Sequence, residues 1–449
     1  MENNRDQFSN QLGVILAVAG SAVGLGNFWR FPYLVGTYGG AAFILVYLIF
    51  VVVLCLPIMF SEFVIGRSTQ SNSFGAFKKL APGTPWWGIG ILCVAASISI
   101  LSFYCVVGGW TLEYMYQSVK GFSADAQVLD SNFSHFVGSS VRPIVWHLLF
   151  LGMSAVIVIA GIKKGIEKYT KILMPLLLLM IVFLAVRVLF LPGSSQGLSF
   201  LFRPDFSKIT GESLLAALGQ AFFSLSLGMG CIITYASYVN KQDNIMTLGL
   251  SSSMADLGFA LLAGLAIIPA VFAFGISPGE GPSLVFITLP RIFAQLPFGG
   301  LFAFIFFVSL LIAAVTSAIS LIEVVTAYCT EELKLSRRTS VAITFAIVAV
   351  TGSLSSLSMG VLKGVTIFGK GFFDMFDYLS SNILLPIGGL LIVLFTGWFL
   401  KKKFVKEELS SNGRHRIPLF GLIMFIIKFI APIAIALIFL SSLGLITLF

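Results

Sequence analysis

Long apolar runs make up most of the chain, and they constrain its fold more than any other feature. Eleven runs approach or exceed the roughly 20 residues that an α-helix needs to cross a bilayer. Of the 449 residues, 57% are hydrophobic and 10% are charged, whereas soluble domains carry about 25% charged residues. The runs are continuous, unlike the short alternating strands of a β-barrel. The sequence therefore predicts an all-α polytopic membrane protein.

The runs predict eleven transmembrane helices. They cover residues 11–36, 41–66, 88–118, 143–160, 166–190, 213–240, 246–276, 300–333, 338–357, 373–400 and 417–447. The first is retained rather than cleaved as a signal peptide, because Glu2 and Asp6 dilute the positive charge before it and the run continues past Arg30. Three longer connections could form short helices over a site or remain solvent loops. They are residues 119–142, 191–212 and 278–299.

Basic residues follow the even-numbered helices. They are Arg67, Lys78, Lys79, Lys163, Lys164, Lys168, Lys171, Lys241, Lys334, Arg337, Arg338, Lys401, Lys402, Lys403, Lys406, Arg414 and Arg416, with Arg5 before the first helix. The positive-inside rule predicts a cytoplasmic N-terminus and an external C-terminus in the plasma (inner) membrane. The net charge of +9 then reflects topology and does not indicate nucleic acid. The five cysteines lack metal spacing and are typical of small buried side chains.

Two of the predicted helices carry interruptions. "LAVAGSAVGLGNFWRFPY" at 16–33 and "GQAFFSLSLGMGCIITYASY" at 219–238 place glycines and polar residues inside apolar runs. The first interrupted helix begins one set of five helices, and the second begins another set of five. Because five is an odd number, the second set crosses the membrane in the opposite orientation to the first. This pattern predicts a single domain, 1–449, with inverted repeats at about 11–190 and 213–400 and an extra helix at about 417–447.

An unwound helix in a bilayer would bind ions and a small anionic group, because it exposes carbonyl oxygens and the positive ends of helix dipoles. The alternative is helix packing, which Gly20 and Gly24 alone would favour. Packing does not explain Asn27 and Arg30, which follow the glycines directly.

Several motifs resemble the neurotransmitter:sodium symporter family, specifically its bacterial amino-acid transporter branch. They are "GSAVGLGNFWRFPY" at 20–33, "GGAAFILVYLI" at 39–49, "SEFVIGR" at 61–67, "FFSLSLGMG" at 222–230, "TYASY" at 234–238 and "EELKLSR" at 331–337. The resemblance implies a sodium-coupled importer of neutral, mainly hydrophobic L-amino acids that works by alternating access and is not an enzyme. Most members have twelve helices, so the eleven predicted here are a departure outside the five-plus-five core.

The resemblance also implies two sodium ions at the membrane midplane. The first would bind the side chains of Asn27, Ser224 and Asp256 and the carbonyl of Ala22. The second would bind the carbonyls of Gly20, Val23 and Ala313 with the hydroxyls of Thr316 and Ser317. Such all-oxygen shells suit a hard cation, although Thr316 and Ser317 taken singly are more often helix–helix hydrogen-bonding residues.

The substrate residues implied by the resemblance surround the same midplane. They are Ala22, Leu25, Gly26, Ile100, Tyr104, Phe223, Ser224, Ser226, Met229 and Leu321. The outer gate would pair Arg30 with Asp377 over a lid of Tyr104 and Phe223. The inner gate would pair Arg5 with Glu331, flanked by Ser237 and Tyr238. Arg5 could equally be a positive-inside anchor.

A further cluster implied by the resemblance concerns chloride. Relatives that need chloride hold it with a Tyr, a Gln, a Ser and an Asn, and here Tyr47, Gln220 and Ser224 match while Asp256 occupies the fourth position. The carboxylate would replace the anion, so transport is expected to be independent of chloride, and the same group could carry a proton in counter-transport. The bland alternative is an Asp hydrogen-bonded to a neighbour without an ionic role.

Three other functions are compatible with interrupted helices. A channel would conduct without accumulating its ligand, and a sensor would bind without transporting. An intramembrane enzyme would need an aspartyl pair such as Asp256 and Asp377, but neither has a matching motif around it. The sequence leaves the preferred amino acid and the oligomeric state open.

Overall fold

The computed structural model describes residues 6–276 and 284–446. Arg5, predicted as half of the inner gate, lies outside the described residues. The helices, numbered here in chain order, are α1 Gln11–Ala22, α2 Gly26–Thr37, α3 Ala41–Thr69, α4 Ser73–Leu80, α5 Pro85–Lys120, α6 Ala126–Gly138, α7 Arg142–Ile159, α8 Ile162–Leu189, α9 Ser194–Phe202, α10 Gly211–Ser224, α11 Cys231–Ala236, α12 Ile245–Ala273, α13 Leu284–Ala294, α14 Gly299–Glu331, α15 Arg337–Leu357, α16 Phe372–Phe399, α17 Lys402–Leu409 and α18 Phe420–Ser442.

The described helices agree with the predicted all-α membrane fold. Nine of them are long and apolar enough to cross a membrane, and α1 with α2 forms a tenth, bent span. The run predicted at 213–240 folds as α10 and α11, which are separated by six residues. The count of eleven therefore depends on this divided helix and stays a prediction. The longer connections contain α6, α9 and α13, which favours the short-helix alternative.

Two of the prolines inside the spans follow locally widened turns. Pro57 comes after a π-helical turn at Val51–Cys55, and Pro386 follows one at Leu379–Leu384. A proline has no N–H to donate, and its ring clashes with the carbonyl one turn earlier, so the preceding turn opens. The sequence thus bends these helices without ending them.

Helix α14 lies at the centre of the protein. In its most apolar stretch 83% of the residues are buried, against 33% in the corresponding stretches of α8 and α18. Helix α14 packs along α5, and α1 packs against α8, α12 and α14. Helix α11 lies against α3 and α14. The interrupted helices therefore occupy the interior, where protein rather than lipid surrounds their irregular backbone.

Gly66 lies where α3 contacts α11. A Cβ at this position would be 2.1 Å from the carbonyl oxygen of Ile233 and 2.7 Å from the Cβ of Ala236. We expect Gly66→Val to lower the midpoint of thermal unfolding in detergent, because overpacking costs about 1–3 kcal/mol. A thiol-reactive fluorophore can report unfolding, since the five cysteines are free and buried.

The matched control is Gly258→Val on α12. A Cβ at Gly258 would meet no atom within 4 Å, so the same substitution should leave the midpoint nearly unchanged. Equal midpoints for the two variants would contradict a close helix contact at Gly66.

Candidate functional site

The first interruption lies between α1 and α2, which are bent by 53° relative to each other. Two amides freed from helical bonding find partners inside the protein. The Gly24 N–H donates to Oδ1 of Asn27 at 3.2 Å, and the Leu25 N–H donates to the Tyr104 hydroxyl oxygen at 3.2 Å. Because unpaired backbone groups are costly in a bilayer, these contacts allow the helix to open here.

The second interruption lies between α10 and α11. Ser226, Gly228 and Gly230 have φ angles of 54°, 79° and 82°, in the left-handed region that glycine adopts without strain. The Gly228 N–H donates to Oε1 of the fully buried Glu62 at 2.7 Å. Sequence reasoning assigned no role to Glu62, and the signal that could have found it is its place in the motif "SEFVIGR".

A cavity lies between the two interruptions. The ten residues predicted to contact substrate all line it: Ala22, Leu25, Gly26, Ile100, Tyr104, Phe223, Ser224, Ser226, Met229 and Leu321. Its remaining lining residues are Ser21, Gly24, Ser317 and Ser320. The Ser21 hydroxyl donates to Oγ of Ser320 at 2.8 Å. Sequence reasoning missed Ser21 and Ser320, because a serine in a membrane helix more often bonds a neighbouring helix than a ligand.

The first predicted cation set is brought together at the edge of this cavity. Nδ2 of Asn27 donates to Oδ1 of Asp256 at 2.8 Å, and the Ser224 hydroxyl lies 3.0 and 2.9 Å from the two carboxylate oxygens. All three side chains are buried. Within the described residues Asp256 has no ion-pair partner. A buried carboxylate is costly without a counter-charge, so the arrangement suits a small cation.

The second predicted cation set also converges. The Ser317 hydroxyl lies 3.4 Å from the carbonyl oxygen of Gly20 and 3.2 Å from that of Val23. The Thr316 hydroxyl lies 3.1 Å from the carbonyl oxygen of Ala313. The Ser317 contacts join α14 to the first interruption, whereas the Thr316 hydroxyl bonds within α14, and none of these five donor groups is a thiol or an imidazole. They form the kind of donor set that hard cations prefer.

The predicted anion-replacing cluster lies beside the first cation set. The Tyr47 hydroxyl is near Ser224 and Asp256 but makes no hydrogen bond of normal geometry with any residue that the structure describes. Nε2 of Gln220 donates to the Gly26 carbonyl oxygen at 3.3 Å, while its Oε1 is buried without a partner in the described chain. Two buried oxygens, those of Tyr47 and Gln220, therefore lie near the first cation set without a hydrogen bond of their own in the described chain.

The predicted outer gate lies in a vestibule next to the cavity. Arg30 and Asp377 both line this vestibule, and Tyr104 and Phe223 line both the vestibule and the cavity. The Arg30 guanidinium stands 5.5 Å from the centre of the Phe223 ring. Oδ1 of Asp377 accepts from Ser381 at 3.0 Å, and no direct Arg30–Asp377 ion pair forms among the described residues.

The predicted inner gate is described for Glu331, Ser237 and Tyr238. Oε2 of Glu331 accepts from the backbone N–H of Asn72 at 2.8 Å and from its Nδ2 at 3.0 Å. The Ser237 hydroxyl donates to the carbonyl oxygen of Thr234 at 2.5 Å. The Glu331 contacts hold the end of α14 against the connection between α3 and α4, whereas the Ser237 bond is local to the end of α11.

Tyr238 belongs to a buried polar network on the inner side. Its hydroxyl donates to Oε1 of Glu323 at 2.7 Å, and Nη2 of Arg337 lies 2.5 Å from the other carboxylate oxygen. The Tyr238 carbonyl accepts from the N–H of Phe8 at 3.1 Å. The N-terminal segment is therefore hydrogen-bonded to Tyr238, just after α11, and Tyr238 in turn contacts α14 through Glu323.

Comparisons with known proteins agree with this architecture. The model of the sodium:neurotransmitter symporter family matches residues 5–131 and 122–447. An uncharacterised sodium-dependent transporter of Bacillus subtilis, YhdH, is 40% identical over 98% of both chains. The GABA transporter 2 of Bos taurus, named sodium- and chloride-dependent, is 27% identical over 84% of this chain and 70% of its own.

A solved structure is similar throughout. The crystal structure of MhsT in complex with L-phenylalanine has a TM-score of 0.89 and 45% sequence identity, covering 98% of this chain and all of that one. The fold with two interrupted helices, predicted from the motifs, is thereby confirmed. This chain belongs to the sodium:neurotransmitter symporter family, whose members are not enzymes but sodium-dependent, multi-pass membrane transporters.

Proposed function

We propose that this protein imports neutral, mainly hydrophobic L-amino acids together with sodium, by alternating access. The observation that carries the proposal is the position of a cavity between two oxygen clusters, each contributed in part by an interrupted helix. A substrate in the cavity and ions in the clusters would share the same backbone segments, so their binding would be coupled.

The polar end of the cavity suits an amino-acid carboxylate. The amides of Leu25 and Gly26 and the Tyr104 hydroxyl would bind it, with one sodium ion as counter-charge. The α-amino group would meet carbonyl oxygens at the two interruptions. The walls formed by Ile100 and Met229 would take an apolar side chain, and a flexible methionine allows several sizes. The bound L-phenylalanine of MhsT supports this substrate class.

Two sodium ions are proposed as co-transported substrates, one in each oxygen cluster. A zwitterionic amino acid brings no net charge, so each cycle moves two positive charges. The membrane potential then contributes about 4.6 kcal/mol per 100 mV. This corresponds to an accumulation of roughly a thousandfold, before the sodium gradient is added.

Alternating access requires two gates and an orientation. We assign the outer gate to Arg30 and Asp377 above Tyr104 and Phe223. We assign the inner gate to Arg5 and Glu331, flanked by Ser237 and Tyr238. We assign repeats at about 11–190 and 213–400 to the moving halves. The N-terminus would be cytoplasmic and the C-terminus external in the inner membrane, because the basic residues then face the cytoplasm.

Uptake into proteoliposomes tests this function. Sodium-dependent accumulation of labelled leucine, increased by an inside-negative potential, is expected. A channel would give flux without accumulation, a sensor would bind leucine without uptake, and an enzyme would alter it chemically. Any of these three results would overturn the proposal.

The second sodium site is tested by Thr316→Ala combined with Ser317→Ala. Removing two of five oxygens leaves the ion under-coordinated in a low-dielectric site. We expect at least about a tenfold loss of sodium-driven uptake, the equivalent of about 1.4 kcal/mol. The measurement is initial uptake rate against sodium concentration.

The matched control is Thr344→Ala combined with Ser355→Ala on α15. These hydroxyls bond the carbonyl oxygens of Ser340 and Thr351 in their own helix at 2.9 and 3.1 Å. Uptake should persist in the control. An unchanged sodium dependence in the Thr316/Ser317 variant would remove these residues from the site.

Chloride independence is proposed because the carboxylate of Asp256 supplies a negative charge beside the first sodium ion. When sodium leaves, a proton could neutralise the same buried group on the return step. Wild-type uptake should be equal in chloride and gluconate buffers. Asp256→Asn should be weak in gluconate and partly restored by chloride, since Tyr47, Gln220 and Ser224 remain.

Both proteins are compared at equal sodium concentration with the same labelled substrate. A chloride requirement in the wild type would contradict charge replacement. Proton counter-transport is read separately, from the effect of an internal acid pH on uptake by wild type and by Asp256→Asn.

A further inference from the structure

A basic segment, residues 400–419, joins α16 to α18. Its exposed cations are Lys401, Lys402, Lys403, Lys406, Arg414 and Arg416. The two acidic residues of the segment offset little of this charge. Glu408 is engaged by the buried Arg67 at 2.7 Å, and Glu407 lies 3.8 Å from Lys403 with both side chains exposed. The basic segment therefore keeps a positive excess.

Lys428 of α18 adds a cation beside the basic segment. Its Nζ lies 4.3 Å from the centre of the Trp398 ring, and the Trp398 indole N–H donates to the Lys428 carbonyl oxygen at 2.9 Å. Trp398 lies one residue before the end of α16 and is 58% exposed. Lys428 is therefore level with the end of α16, and it has no carboxylate within ion-pair distance in the described chain.

A second lysine–aromatic pair lies at the start of the two neighbouring helices. Nζ of Lys402, the first residue of α17, is 5.9 Å from the centre of the ring of Phe420, the first residue of α18. Aromatic rings and lysines with long apolar stems are typical of the membrane interface. Both pairs thus indicate that this end of α16 and α18 meets lipid headgroups.

The basic segment is held rigidly against the protein. Val405 and Leu409 of α17 are fully buried, so its charged side faces outward. The fully buried Arg67 contacts Oε1 of Glu408 at 2.7 Å and the Ser411 hydroxyl at 3.0 Å. Its cations are therefore presented on a fixed surface rather than on a free loop.

We propose that Lys428, Trp398, Lys402 and the basic segment bind the phosphate headgroup of an anionic phospholipid. Clusters of four to eight basic residues next to a membrane helix attract anionic lipids. The lipid would lie in the leaflet that the proposed topology makes cytoplasmic. The inference depends on that topology and not on the substrate or the sodium sites.

Native mass spectrometry of the detergent-purified protein tests the site. Phosphatidylglycerol and phosphatidylcholine with the same acyl chains are added at matched concentrations. Phosphatidylglycerol should be retained at least about tenfold more tightly, and the difference should shrink as salt is raised, because salt screens exposed charges. Equal retention of the two lipids would overturn the proposal without using any variant.

Lys402→Gln and Lys428→Gln locate the site. Each lysine near an anionic surface contributes about 1 kcal/mol, so each variant should weaken phosphatidylglycerol binding about fivefold and the double variant about thirtyfold. The matched control is Lys120→Gln. Lys120 is exposed at the opposite end of the protein, with its Nζ 4.5 Å from the Tyr116 ring centre.

A competition experiment with inorganic phosphate shows whether the site binds a lipid headgroup or simply a free phosphate ion. It should not displace phosphatidylglycerol at millimolar concentration if the acyl chains contribute to binding. Displacement by inorganic phosphate, or an equal loss in Lys120→Gln, would overturn the lipid site. Sodium-dependent leucine uptake is measured on the same preparations, so failure of the proposed transport is seen separately from failure of lipid binding.

Discussion

The structure depends on one constraint, which is that backbone groups freed inside a bilayer must find partners in the protein. Two helices are opened near their middles, and polar side chains, on the opened helix itself or on other helices, supply those partners. Tyr104 and Asn27 receive amides at the first interruption, and Glu62 receives one at the second. The interruptions are therefore stable only in the interior of the protein, between α3, α5, α12 and α14.

The same constraint accounts for the place that we propose for the ions and the amino acid. Carbonyl oxygens that no longer bond within a helix are left facing the hydroxyls of α14, as at Val23 and Ser317. The helix ends that meet the cavity present backbone N–H groups, which carry a partial positive charge. The opened backbone therefore offers both hydrogen-bond acceptors, which suit a cation, and donors, which suit a carboxylate, at one cavity. In the proposed mechanism sodium and the amino acid bind to the same backbone segments.

Much of this could be predicted from sequence, for reasons that are local. Glycines followed by Asn27 and Arg30 inside an apolar run indicated the first interruption to within a few residues, while the membrane sides assigned from the basic connections stay a prediction. Contacts between distant helices could not be predicted in this way. Glu62 is one of many polar residues in apolar context until Gly228 is placed beside it. Ser21 is likewise indistinguishable from a packing serine until Ser320 faces it.

Two buried acids elsewhere in the protein are paired with arginine, unlike Asp256 and Glu62, which are bonded only by neutral groups in the described chain. Glu113 is fully buried and paired with Arg142 at 2.6 Å, and Glu323 is fully buried and paired with Arg337 at 2.5 Å. Asp256 is equally buried, yet in the described chain only neutral groups bond it. A fixed arginine there would neutralise the carboxylate permanently. In the proposed mechanism the carboxylate, without such a partner, is left for a sodium ion that arrives and leaves in each transport cycle.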